Sequence, residues 1–191
     1  MSFAPDPSEQ IARARGDLRM GVPVVIVSES GGILVQATET LTPERTEKAR
    51  GLAGETVLTI TARRAETLKA RAYDGDLARI RVPKDADLRW ITALADPADD
   101  LRTPMKGPLQ SVREGGADEH RIALRLAKDA RLLPSVLITK LESPIEFAKE
   151  HLLTILFAAQ VVPLLGRSAH YNDIVNAQLP LEVSDKGRLH V

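Results

Sequence analysis

Apolar positions along this chain fall into short runs rich in β-branched residues, separated by stretches with helical stripes. The most continuous run, Val22 to Val27, has no polar alternation, so it reads as a strand covered on both sides. Ile33 to Ala37 is its natural neighbour, and Ser30-Gly31-Gly32 between them can supply the positive φ values of a tight reversal. A hairpin this apolar belongs in the middle of a layered domain. Its loop is a natural place for chemistry, because loops on a rigid scaffold carry function.

The remaining pattern alternates helices and strands. Asp6 or Ser8 can cap a first helix, with Ile11, Ala12, Leu18 and Met20 as a partial apolar stripe ended by Gly21. Thr42-Pro43-Glu44 predicts a second helix running to Gly54: a capping hydroxyl, a proline and an acid in the first turn. Glu55 to Thr61 alternates as a strand should, and Thr61 then caps a helix from Ala62 to Arg71. A strand over Leu77 to Val82 and a helix over Asp87 to Ala95 follow. Asp96 to Gly116 is punctuated by prolines and glycines and reads as a long irregular loop, of the kind that tends to be functional or mobile. Ala117 to Arg131 is an amphipathic helix offering Ile122, Leu124, Leu126, Ala127 and Ala130 to a core. A strand over Ser135 to Leu141, a helix over Glu146 to His151, a strand over Leu153 to Phe157 and a helix over Gln160 to Gly166 complete the series. Asn176 to Val191 is extended in character. The order argues for an α/β (or α+β) sandwich on a mixed sheet.

Composition narrows the function classes. At 191 residues the chain suits one domain, able to bury about 70% of its unfolded surface. Lys+Arg and Asp+Glu both number 26, so there is no basic field for nucleic acid. No window holds the ~18 uncharged apolar residues of a membrane span, and the N-terminus lacks the features of a signal peptide, which points to the cytoplasm. With no cysteine there is no thiolate nucleophile, disulfide or cysteine zinc site. Aromatic residues are 3%, so the core must be aliphatic.

Candidate chemistry is sparse. The four histidines at 120, 151, 170 and 190 show no mutual metal-ligand spacing, which favours surface or core roles. Asp118-Glu119-His120-Arg121 is the densest polar group. Its acids suit the helix dipole and complete a cap, or Glu119 and His120 could face a ligand beside the preceding loop. Arg113-Glu114-Gly115-Gly116 could cradle an anion with glycine amides. Arg63-Arg64 reads as a solvated helix face, and Glu29 as an exposed acid without a partner. No Ser/His/Asp arrangement or phosphate-binding glycine loop is present.

These stretches, taken in order, resemble 3,4-dihydroxy-2-butanone-4-phosphate synthase of riboflavin biosynthesis. The matches are Arg19-Met20-Gly21 before Val24 to Val27, Ala37-Thr38-Glu39, Thr42-Pro43-Glu44, Leu58 to Thr61 with Arg64-Ala65-Glu66, Pro108-Leu109, Arg113 to Gly116, Ile122 to Ala130 and Leu132 to Ile138. The resemblance covers residues 10 to about 165 and implies that family's mixed-sheet sandwich and a homodimer.

The catalytic residues that the resemblance implies are not retained. The family's acidic loop binds magnesium and works on ribulose 5-phosphate; here it reads Ser28-Glu29-Ser30-Gly31-Gly32-Ile33, with Glu29 its only acid. The family's Gly-His-Thr-Glu is Asp118-Glu119-His120-Arg121, with Glu119 at the histidine's position unless the register slips by one, and the late-strand acid is Lys140. Magnesium-dependent synthase activity is therefore not expected, and no cofactor is assigned. A closer resemblance is to the synthase-like region N-terminal to GTP cyclohydrolase II in some bacteria. Ala177 to Glu182 and Arg188 to Val191 are similar to the start of that second half, which implies a boundary near 170, with 171–191 a linker or the beginning of the next domain. Without cysteine the chain cannot hold that half's zinc. The reading is a dimerisation or scaffold domain of a cyclohydrolase, with no nucleic-acid or membrane partner. The alternative is a residual sugar-phosphate site using Glu29, Glu119, His120, Arg113, Gly115 and Gly116.

Overall fold

The computed structural model describes residues 3–165, 176–181 and 184–190. The apolar hairpin forms as β1 (Val24–Ser28) and β2 (Gly31–Ala37), antiparallel and in register from Val24↔Val35 to Ser28↔Gly31. Glu29 and Ser30 alone make the turn. Gly31 takes φ 132° and Gly32 already lies in the strand, so the reversal is tighter than a Ser-Gly-Gly loop. Gly32 answers a packing demand instead, since a Cβ there would overlap the ring of Pro144.

Around the hairpin stand β3 (Thr56–Thr61), β4 (Leu77–Arg81), β5 (Ser135–Leu141) and β6 (Thr154–Phe157), giving one mixed sheet in the order β4-β3-β5-β2-β1-β6. All neighbours are antiparallel except β1 and β6. Seven α-helices accompany the strands among the described residues: α1 (Pro7–Arg19), α2 (Pro43–Arg50), α3 (Ala62–Thr67), α4 (Leu88–Ala95), α5 (Asp118–Asp129), α6 (Pro144–Glu150) and α7 (Ala158–Val161). A separate antiparallel pair, β7 (Asn176–Leu181) and β8 (Ser184–His190), lies in the extended C-terminal stretch.

Alternation along the strands assigns the layers. Val24, Ile26, Val35, Val136 and Ile138 face one side, where they pack with residues of α1, α5 and α7. Val25, Leu34 and Leu141 face the other side with α2 and α6, and Leu58, Ile60, Ala78, Ile80 and Leu137 join α3 and α4 there. Every fully buried leucine or isoleucine in these clusters contributes about 2 kcal/mol of transfer free energy. The aliphatic core expected from the composition thus divides between two faces of one sheet.

Helix starts follow local capping. Asp6 caps α1 with a reciprocal Glu9 contact, Thr42 caps α2 ahead of Pro43, Thr61 caps α3, and Asp87 caps α4. Helix ends differ from the sequence expectation. α2 stops at Arg50 rather than Gly54, because Leu52 turns into the α6-side cluster and Gly54 must pass against the Lys140 carbonyl, where a Cβ would not fit. α3 stops at Thr67 rather than Arg71: Lys69 adopts φ 56°, and the chain folds back so that Leu68, Ala70 and Ala72 all reach the β3–β4 cluster. The last helix is Ala158–Val161 rather than Gln160 to Gly166, and Gly166 lies outside the described residues.

Arg64 is not on a solvated face. It is 9% exposed, donates to the carbonyls of Ala93, Leu94 and Asp96, and forms a two-pronged pair with Asp100 at 2.6 and 2.7 Å. Lys106, also buried, reaches the same carboxylate. The stretch 96–116 therefore lacks regular structure over most of its length and yet is fastened at both ends. Its later part runs beside β4, through Arg81 N–H to the Gln110 carbonyl and Val112 N–H to the Arg79 carbonyl.

Candidate functional site

The α5 side of the sheet carries a cleft of about 1290 Å³. Its floor is laid by strand residues that share one face of the sheet: Ile33 on β2, Ile138 and Lys140 on β5, Val57 on β3. The β1–β2 turn, the first turn of α5, the 114–116 loop and α7 close its sides.

Two polar clusters dominate. In the first, Glu119 accepts hydrogen bonds from the hydroxyls of Ser28, at 2.5 Å, and Ser30. Burial pushes the Glu119 carboxyl up, but hydrogen bonds from the two serine hydroxyls and the backbone, with a contribution from His120, together hold it below the usual range, so it is an anion at neutral pH. In the second, Nδ1 of His120 lies 2.7 Å from the hydroxyl of Thr59 on β3. Burial, with the Arg79 cation nearby, depresses the His120 imidazole to about 4 against the opposing pull of Glu119 and Asp74, leaving it neutral at pH 7. A neutral imidazole with one nitrogen engaged keeps its other nitrogen for a proton to be accepted or given.

Arg79, on β4, is 4% exposed and its guanidinium is fully occupied. It pairs with both oxygens of Asp74, at 2.8 and 3.0 Å, and donates to the carbonyls of Glu114, Gly115 and Gly116. The glycines read as an anion cradle thus present carbonyls to a buried cation, which fixes the loop that walls the cleft. Gly115 sits at φ 76°, a conformation that favours glycine.

Of the residues singled out from sequence, Glu29, Gly115, Gly116, Glu119 and His120 all line the cleft. Arg113 does not; its guanidinium lies over the Tyr73 ring, 5.9 Å from the centroid. The acids of α5 do not complete a cap. Ala117 occupies the N-cap without a side-chain bond, Asp118 pairs with Arg121 at 2.9 Å, and Glu119 is taken by the serines. Thr59, Arg79 and the role of Ser28 were not visible in the sequence reading. Arg79 left one signal, a charge at a central position in the run Leu77 to Val82, which a buried strand tolerates only when fully paired.

No three His, Asp or Glu side chains among the described residues converge as a metal-binding group. Glu119 is committed to two hydroxyls, and Lys140 adds positive charge to the floor.

No family model matches the sequence, and no curated protein matches it. Solved structures do. RibBX, a two-domain 3,4-dihydroxy-2-butanone 4-phosphate synthase from A. baumannii, superposes with a TM-score of 0.62 at 17% identity over 94% of this chain. The chain has the fold of that synthase. The Candida albicans synthase agrees at TM-score 0.61, with 18% identity over 87% of this chain and 100% of its own. A synthase in complex with two magnesium ions agrees at 0.60, with 15% identity over 83% of this chain and 97% of its own. This chain spans 65% of the length of the two-domain protein. The synthase fold accounts for the mixed sheet with helices on both faces.

Proposed function

We propose that this chain is a synthase-fold domain of riboflavin biosynthesis that does not catalyse the magnesium-dependent reaction on ribulose 5-phosphate. It serves as a dimerisation or scaffold module, with residues 1–170 as the domain and 171–191 leading toward a GTP cyclohydrolase II half. The observation that carries this reading is the state of the cleft's acids. Glu119 is held by Ser28 and Ser30, Glu29 sits at the tip of the turn, and Lys140 occupies the floor. A cleft so equipped holds no carboxylate cage for magnesium and so lacks the means to polarise a bound sugar phosphate. The two-domain organisation of RibBX supports attachment to a second domain.

The test has two arms. The purified chain is incubated with ribulose 5-phosphate and magnesium, and no product is expected. The chain is then joined to an intact cyclohydrolase half, where a dimer by light scattering is expected to revert toward monomer when residues 1–170 are deleted. Turnover in the first arm, or unchanged assembly and activity in the second, would sink the proposal.

A second reading, residual sugar-phosphate binding, is favoured by the cleft itself and by the neutral imidazole of His120 within it. Loss of ribulose 5-phosphate binding in Glu119→Ala and His120→Ala variants would support it.

A further inference from the structure

We draw no further inference here: the strongest candidate, the cluster of carboxylates in the cleft beside the first turn of α5, belongs to the site already described, and none of the buried polar atoms left without a partner is on a residue that lines it.

Discussion

His120 sits where burial and a nearby guanidinium both oppose its positive form, with its Nδ1 held by Thr59. Since the folded state binds this proton less well than the unfolded chain, its contribution is intact above the ordinary histidine value of 6.5 and is lost as pH falls toward about 4. The loss amounts to as much as about 3 kcal/mol across that window. Urea melts of the parent and of His120→Gln, taken from neutral pH down to about 4, measure it. The parent is expected to destabilise more steeply with acid than the variant. Equal slopes would place the proton-linked loss elsewhere. Glu119 acts in the same sense, its lowered value adding stability that is lost only at lower pH, in stronger acid.

At the scale of elements, the stretch from Asp96 to Gly116 shows how a segment with little regular structure is kept in place. Arg64 fastens its beginning to the end of α4, and Arg79 fastens its end to β4. The Asp100 carboxyl, bonded first by Arg64 and then by Lys106, is held far below the usual carboxylate range. Arg64→Met would leave Asp100 with Lys106 alone and strip the Ala93 and Leu94 carbonyls of this donor, while the Asp96 carbonyl keeps the Asp99 N–H. Asp100 is partly exposed, so the expected cost is about 2–4 kcal/mol, toward the lower part of what breaking a buried pair costs. Denaturant unfolding gives the number, and hydrogen exchange should show protection lost over 97–106 while β1 and β2 keep theirs. A cost under about 0.5 kcal/mol, ordinary for surface positions, would mean that Arg64 is solvated after all.

For the whole molecule, the metal question gives a direct thermodynamic test. A ligand that binds only the native state stabilises it by mass action, by about 2.7 kcal/mol at a hundred times its dissociation constant, and so raises the melting temperature. Millimolar magnesium is expected to leave this chain's melting temperature unchanged, while a magnesium-binding synthase treated in parallel rises. A clear rise here would restore a metal site to the cleft. No helix among the described residues is long and apolar enough to cross a membrane, as the short apolar runs imply.

How much of this could be read without the structure depends on the range of each interaction. Helix starts were legible because capping is settled within three residues, as at Asp6, Thr42, Thr61 and Asp87. Core membership was legible because alternation and helical periodicity report burial directly; Ile122, Leu124, Leu126, Ala127 and Ala130 are all buried. The order of motifs was enough to indicate the synthase fold. Helix ends were not, because α2 and α3 stop where packing against distant strands requires it. Nor were the burial of Arg64 and Arg79, the serines on Glu119 at separations of 91 and 89 residues, or the Thr59–His120 bond across 61. A charged side chain reads as solvated until its partners are known, and those partners are chosen by strand register and by where each helix lies on the sheet. Local chemistry settled the elements and their inward faces; contacts between residues far apart in the chain settled which polar groups share the cleft.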